Sequence, residues 1–353
     1  MSTKEPSGEP VRLTQHSHGA GCGCKIAPSQ LDVILKSTLG TLPDPRLLVG
    51  YGSRDDAAVY DMGDGRAIIS TTDFFSPIVD DAFAFGRIAA ANALSDVYAM
   101  GGRPLLAVAI LGWPVEKLGP ELAQRVVEGG RTACHEAGIP LAGGHSIDAP
   151  EPFFGLAVIG EVGLSQVKRN NTARAGDNLL LTKPVGTGIL STAMKRGLLR
   201  MEDEKELLAQ LIAINSAGSA LGTLPEVTAM TDVTGFGLLG HLLELCEGSG
   251  VRASIVFDRI PLIPSVPHYL AQGAYPDGAF RNWRSQSTRV HGASDMVRMM
   301  VLSDPQTNGG LLVAVRPEGV EQAAKTIEKC TGMRPAHIGT LIEAAEGPAV
   351  GLV

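Results

Sequence analysis

The sequence predicts an α/β fold built in two units. Three observations carry that reading. Apolar runs of strand length alternate with stretches of helical periodicity. The alternation restarts after a polar stretch at Lys168-Arg169-Asn170-Asn171. No fixed short period runs through the chain, which excludes a solenoid. At 353 residues there is room for two domains of ordinary size.

Residues 1–50 read as a weakly structured lead, apart from an apolar helical pattern near Leu31–Leu39. Ala67–Ser70 is a strand running into Thr71-Thr72-Asp73. Phe83–Met100 has helical spacing and stops at Gly101-Gly102, a good C-terminal signal. Pro104–Gly112 is a strongly apolar strand, Glu121–Ala137 a helix, Gly138–Gly144 a strand entering a glycine pair, and Phe153–Val162 another strand. The boundary between units falls in 163–176. Beyond it come a strand at Asn178–Thr182 and helices at Gly188–Leu199 and Glu202–Leu221. A strand at Val227–Asp232 leads through Thr234-Gly235-Phe236-Gly237 to a helix at Leu238–Cys246, and Val251–Phe257 is again a strand. Tyr269–Ser303, rich in Arg and Gly, gives no clear period; Leu311–Val315 and Glu318–Cys330 close the chain as strand and helix.

Composition narrows the class. Apolar residues make up 44% and charged residues 19%, as in soluble globular proteins. The net charge is −7 and there is no Lys/Arg block, so the chain offers no electrostatic footprint for nucleic acid. No apolar run approaches the length of a membrane span. The first fifteen residues are polar, with Pro6 and Pro10 and no apolar core of a signal peptide. Five scattered cysteines, an odd number, do not form a disulfide framework, and the expected compartment is the cytoplasm.

The densest chemistry lies at His16-Ser17-His18-Gly19-Ala20-Gly21-Cys22-Gly23-Cys24-Lys25. Glycines leave this stretch without side chains to bury. A cation beside a thiol favours thiolate, which is the nucleophile and the soft-atom ligand. Three readings stand side by side: a catalytic arm, a tail with incidental cysteines, and a small metal site using His16, His18, Cys22 and Cys24.

Carboxylates recur beside apolar sequence: Asp55-Asp56, Asp73 after Thr71-Thr72, Asp96 in Asn92-Ala93-Leu94-Ser95-Asp96, and Asp232 in Met230-Thr231-Asp232. A buried, unpaired carboxylate costs several kcal/mol or neutralises itself. Arg54 is the only adjacent basic residue, so divalent cations would restore the balance. Any one of these residues alone reads as a cap or a turn; four such sites, together with glycine loops, point to a metal–nucleotide centre. The loops are Gly143-Gly144-His145-Ser146 and Asp304–Gly310, whose backbone N–H groups are placed to approach phosphate oxygens. Neither is a Walker A loop, and no dinucleotide fingerprint occurs.

Laid out in order, these pieces resemble the selenophosphate synthetase family. The resemblance runs from about residue 12 to the C-terminus. It rests on Ser17–Lys25, Arg54–Val59, Ser70–Phe75, Asn92–Asp96, Leu141–Ser146, Ala229–Gly237 and Asp304–Thr307. The wider superfamily, with aminoimidazole ribonucleotide synthetase and thiamine-phosphate kinase, shares the carboxylates and glycine loops but lacks the thiol–lysine arm. The resemblance implies an aminoimidazole ribonucleotide synthetase-like two-domain α/β (α+β) fold and a homodimer whose N-terminal sheets join. It divides the chain into an arm at 1–50, a nucleotide-binding and dimerisation domain at 51–165, and a C-terminal α/β domain at 175–353. It implies ATP as substrate, Mg²⁺ as cofactor and K⁺ as a frequent further requirement. The implied reaction turns selenide, ATP and water into selenophosphate, phosphate and AMP. The selenium source would be free selenide or a selenium-delivery protein.

Carried over residue by residue, Cys22 is the essential nucleophile and Lys25 the essential lysine. Asp56, Asp96 and Asp232 match metal-ligating carboxylates. Lys25, Ser53, Arg54, Asp55, Asp73, Asp96, Gly144, His145 and Ser146 match nucleotide contacts, several of them supplied across the dimer. Asn308 departs from the pattern, since serine is common there. Two rivals stand beside this reading. One is a non-enzymatic zinc or selenium carrier, which would explain residues 16–25 but not the carboxylates. The other is a superfamily kinase for another small acceptor.

Overall fold

A six-stranded and a seven-stranded sheet organise the chain. The computed structural model describes residues 11–17, 21, 30, 33–36, 44–50 and 55–353. The helical pattern expected at 31–39 lies largely outside them.

The first sheet contains β1 (Leu47–Val49), β2 (Ala58–Asp61), β3 (Arg66–Phe75), β4 (Arg103–Trp113), β5 (Leu141–Asp148) and β6 (Phe153–Gly163), in the order β1-β2-β3-β6-β4-β5. Only β4 and β5 run parallel, joined by the crossover helix α2 (Val115–Glu136). Burial alternates along β3 and β4, as a sheet covered on one face requires. The uncovered face carries Phe74, Leu106 and Val108, all exposed. β5 is the edge strand and is exposed along nearly its whole length. Gly143-Gly144, expected to be a turn after a strand ending at 144, instead lies inside β5. An edge strand needs no side-chain packing on its open side, so glycines are tolerated there.

The covered face is packed by α1 (Ala82–Ala99) and α2. No residue of α1 is exposed, and none of its faces is polar enough for solvent. Asp81 caps the helix by accepting from the Ala84 N–H at 2.7 Å. Glycines set the approach of α2. A Cβ on Gly86 would lie 1.8 Å from the Val126 carbonyl oxygen, and one on Gly129 would lie 2.0 Å from that of Phe83.

The second sheet contains β7 (Asn178–Leu181), β8 (Val227–Asp232), β9 (Val251–Ile255), β10 (Val290–His291), β11 (Leu311–Val315), β12 (Ala336–Glu343) and β13 (Val350–Leu352). Its order is β10-β13-β9-β12-β7-β11-β8. Helices α3 (Thr187–Lys195), α4 (Met201–Ile212), α5 (Ala217–Gly222), α6 (Gly237–Ser249), α7 (Val266–Ala271), α8 (Asp277–Gln286), α9 (Met296–Ser303) and α10 (Val320–Thr331) complete the unit. The opaque stretch 269–303 therefore contains the end of α7, then α8, β10 and α9. The single helix expected at 202–221 is two, α4 and α5. The break has a physical reason: the Asn215 amide donates to Ser95 Oγ and to the Gly309 carbonyl, both at 2.8 Å, and so fixes the chain in a non-helical link.

The units share one hydrophobic core, and α1 touches β8, α4 and α5 of the second unit. Cys134 and Cys246 are fully buried in this packing, and burial pushes their thiols up to about 11 and about 12. No helix among the described residues is long and apolar enough to cross a membrane.

The α1–α2 crossing yields a first expectation. Gly86→Ala should gain about 1 kcal/mol of helix propensity yet lose about 3 kcal/mol to overpacking against the Val126 carbonyl. Urea unfolding measures the balance. An unchanged or raised midpoint would contradict so close a contact.

Candidate active site

Four aspartates meet at the seam between the two units. Asp55 and Asp56 precede β2, Asp96 lies in the last turn of α1, and Asp232 ends β8. Thr231 Oγ1 donates to Asp56 Oδ1 at 2.9 Å, and the Asn170 N–H donates to Asp55 Oδ1 at 3.3 Å. The first bond ties the N-terminal unit to the C-terminal one, and the second ties it to the connection between them. Thr71 Oγ1 donates to Asp96 Oδ2 at 2.5 Å.

Electrostatics follow from burial. Desolvation first, then Asp232, Asp55 and Asp96 as like charges, push the Asp56 carboxyl well above the usual carboxylate range. Its Oδ2 is buried and has no hydrogen-bond partner among the described residues. Burial likewise pushes Asp55 up to about 6, against the pull of the Asp56 and Asn170 N–H groups and of Arg169. The cation facing Asp232 is Lys183, fully buried. Burial draws its ammonium down to about 7, while Asp232 pulls the other way. Lys183 Nζ donates to the Ala213 and Asn308 carbonyls, at 2.6 and 2.9 Å.

Asp73 is held by a second relay. Asn92 Nδ2 donates to Asp73 Oδ2 at 2.5 Å, and Asn92 Oδ1 accepts from the Asn308 N–H at 2.7 Å. Asn308 has a φ of 48°, the one left-handed non-glycine residue among those described, and its amide donates to the Leu211 and Ala213 carbonyls. Asparagine tolerates this backbone better than most residues and here uses its side chain as well. Asn92, Thr71, Thr231 and Lys183 had no role from sequence reasoning. The first three stand within motifs already singled out, but only contacts distant in sequence reveal what they donate to.

The loop at 304–310, expected to approach phosphate through its backbone, has three of its N–H groups engaged within the protein: Gln306 donates to the Thr234 carbonyl, Thr307 to Thr187 Oγ1 and Asn308 to Asn92 Oδ1. Asp304, buried behind α3, accepts at Oδ2 from Gln306 Nε2 and the Gly188 N–H, at 2.7 and 3.2 Å. Burial pushes its carboxyl up to about 8.

Gly144, His145 and Ser146 do not join the cluster. Asp73, Leu156, Ala109 and Gly144 form one row across β3, β6, β4 and β5. Three strand spacings therefore separate Asp73 from Gly144, about 14 Å. Cys22, Cys24, Lys25, His18, Ser53 and Arg54 lie outside the described residues. Their neighbour Gly21 is described: it is buried, its N–H donates to the Ser76 carbonyl at 3.1 Å, and its φ is +52°. Arg12 Nε and Thr14 Oγ1 both bond Asp80, so the segment before it is fastened to the β3–α1 connection.

Oxygens such as Asp56 Oδ2 suit a hard divalent cation. No three His, Cys, Asp or Glu side chains among the described residues form a complete ligand set for one ion. Mg²⁺ needs only one or two carboxylates when phosphate oxygens supply the rest, so the donor set fits.

A two-sheet fold with aspartates buried at its seam defines a protein of the AIR synthase related family. The N-terminal domain of that family matches residues 54–162 and its C-terminal domain residues 174–350. Within it, the chain belongs to the selenide, water dikinase family. It is 56% identical over 337 residues to the selenide, water dikinase of Photorhabdus laumondii, covering 96% of each chain. Against that of Pseudomonas putida it is 57% identical over 335 residues, 95% of this chain and 97% of the other. Against that of Bordetella bronchiseptica it is 58% identical over 333 residues, 94% and 96%. Among solved structures, thiamine-monophosphate kinase from Stenotrophomonas maltophilia K279a superposes with a TM-score of 0.63 at 22% identity, covering 88% of this chain and 92% of that one. Hydrogenase maturation protein HypE in complex with ATP gives 0.65 at 20%, covering 97% and 94%. At such identities these two likenesses speak for the fold alone.

Asp304 yields an expectation with a definite sign. Its raised folded-state value means that the stability of the protonated form is fully present below about pH 4 and lost as pH rises to about 8. Asp304→Asn removes that loss, so the variant should gain on the parent by about 1.4 kcal/mol per pH unit between about pH 5 and 8, then level off. Denaturant titrations across that range measure it. A difference independent of pH would mean that Asp304 is ionised in the folded protein.

Proposed function

We propose that this chain transfers the γ-phosphoryl group of ATP to selenide and releases selenophosphate, phosphate and AMP. The observation that carries the reading is the buried aspartate cluster in a chain akin over nearly its whole length to selenide, water dikinases. That kinship makes it an enzyme, which removes the non-enzymatic carrier from consideration.

Asp56, Asp96 and Asp232 would hold Mg²⁺, with K⁺ as a further requirement. Mg²⁺ held there would supply charge neutralisation for the phosphoryl group in transfer. Asp55 and Asp73 are assigned to the nucleotide, together with Lys25, Ser53 and Arg54; Asp96 serves both metal and nucleotide. Thr71, Thr231 and Asn92 orient these carboxylates by donating to one oxygen each. Lys25 is assigned to charge on the transferring group, and Cys22, as thiolate, to the selenium acceptor. In the transfer itself a selenium–phosphorus bond forms as the bond from the γ-phosphorus to the bridging oxygen breaks, leaving ADP, whose β-phosphorus then takes water as its bond to the α–β bridging oxygen breaks, giving phosphate and AMP.

Gly144–Ser146 reach the nucleotide in this reading from the partner of a homodimer. Two features support that arrangement: the open edge of β5 and the exposed apolar side chains Phe74, Leu106, Val108 and Ile147. The cytoplasm is the assigned compartment, with selenide arriving free or from a delivery protein.

The deciding measurement is AMP formation from ATP with and without selenide under anaerobic conditions. Selenide-dependent AMP is the expected result, and Cys22→Ser should abolish it. Turnover indifferent to selenide would favour a kinase for another acceptor.

A second test addresses the metal. Mg²⁺ and a non-hydrolysable ATP analogue together should raise Tm by more than their separate effects, because each relieves the repulsion that opposes the other. Asp232→Asn should remove that excess and lower turnover by about a hundredfold. Equal stabilisation of parent and variant would exclude Asp232 as a ligand.

A further inference from the structure

Lys183 is a buried cation to which the proposed reaction gives no part. It lies just past the end of β7, and its Nζ donates to the Ala213 carbonyl at 2.6 Å and to the Asn308 carbonyl at 2.9 Å. An amine keeps N–H donors for both whether or not it is protonated, so the two bonds hold in either state.

Asn308, which accepts one of them, is where several segments meet. Its φ of 48° strains a residue that carries a Cβ, and such a backbone persists only where its neighbours over-determine it. Here they do. Its Nδ2 donates to the Leu211 and Ala213 carbonyls at 2.7 and 2.8 Å, and its N–H donates to Asn92 Oδ1 at 2.7 Å. Lys183 and Asn308 thus share the Ala213 carbonyl, in the link between α4 and α5. The next two residues leave no room to slide. A Cβ on Gly309 would lie 2.1 Å from the Val233 carbonyl oxygen, and one on Gly310 would lie 2.4 Å from the Lys183 nitrogen. The loop is clamped between the strand end that carries Lys183 and the one that carries Asp232.

This clamp leads to the site. From Lys183 the bonds run through Asn308 to Asn92 on α1, whose Nδ2 donates to Asp73 Oδ2 at 2.5 Å. Lys183, Asn308 and Asn92 are buried, whereas Asp73 is half-buried. The carboxylate assigned to the nucleotide is therefore the accessible end of a buried relay, and the far end of that relay is an amine in the other unit.

We propose that Lys183 is a positioning residue for nucleotide binding: acting through Asn308 and Asn92, it fixes the direction in which the Asp73 carboxylate faces. The inference rests on the assignment of Asp73 to the nucleotide in the proposed function and adds what holds it there. The rival is electrostatic. Lys183 also attracts Asp232, and through that charge it would act on the metal instead.

A double-mutant cycle on the full-length enzyme separates the two, pairing Lys183→Met with Asp73→Ala. Calorimetry reads the Kd of a non-hydrolysable ATP analogue at saturating Mg²⁺. Lys183→Gln, which keeps an N–H donor on a shorter side chain, is measured beside Lys183→Met. Each single variant should raise that Kd by about tenfold, the scale of one lost bond to a charged group. On the Asp73→Ala background, Lys183→Met should add less than about twofold, because the carboxylate it steers is gone. A parental Kd in the folded Lys183 variants, whatever their Tm, overturns the proposal. Independent effects do so too, with a rise of about a hundredfold in the double variant. A change confined to Mg²⁺ affinity assigns Lys183 to Asp232 and also overturns it. Failure of both Lys183 variants to fold has the same consequence, since the amine would then serve the fold itself. A parental Kd in Asp73→Ala removes the assignment beneath the proposal, and the proposal with it. Failure of the selenide reaction is a separate result: the parent would bind the analogue and the cycle would be non-additive, supporting the relay, yet selenide would elicit no AMP.

Discussion

Like charge forced together at a buried seam is the constraint on which this structure turns. At 4 Å and an effective dielectric of about 20, two carboxylates repel by about 4 kcal/mol, more than one hydrogen bond to a charged group returns. Asp56 has like-charged neighbours in Asp232, Asp55 and Asp96 and one neutral donor, Thr231. The cluster persists because the two units that supply it are locked by other means. Their shared core, the α1 contacts and the Asn215 bonds to Ser95 and Gly309 hold the seam closed. Packing therefore sustains an electrostatically unfavourable arrangement, and a proton or a divalent cation relieves it.

Helix α1 makes that locking possible. A helix buried on every side must offer small residues wherever a neighbouring backbone comes close, and Gly86 and the Ala89–Ala91 run do so. At its far end Gly101 and Gly222 bring two backbones into contact, where a Cβ on either would meet the other's atoms at about 3 Å or less. The same alanine-rich helix carries Asn92 and Asp96 on its turns. The small residues that admit the second unit thus also bring polar groups to the seam. Abundant glycine in this chain marks close backbone approach as much as it marks turns.

Much of this was legible in advance. β3, β4, β6, β7, β8 and β11 are apolar runs bounded by polar or glycine residues, and their burial is decided locally. The aspartates stood out because each adjoins sequence that has to be buried. What escaped depends on partners far along the chain. The α4–α5 break is set by Asn215 reaching residue 95, and nothing in 202–221 announces it. The glycine pair at 143–144 looked like a turn, but an edge strand places few demands on its residues. The loop at 304–310 looked like a phosphate cradle because glycine and small polar residues leave N–H groups available. Thr187, Asn92 and Thr234 accept from three of them, and those acceptors come from separate parts of the chain.

That same loop ties a carboxylate of the N-terminal unit to the C-terminal one. At Asn308 it meets Asn92 and, through it, Asp73; one residue earlier, the Thr307 N–H donates to Thr187 Oγ1 of α3. In-line transfer tolerates little error in the placement of acceptor and donor, and an ångström of misplacement costs about a hundredfold in rate. A loop free to adjust would not hold that spacing. This one is buried throughout, carries a left-handed asparagine fixed by two carbonyls, and is braced from below by the Lys183 ammonium. Three of its N–H groups are consumed internally, which makes it a rigid link between Asp73 and the C-terminal unit.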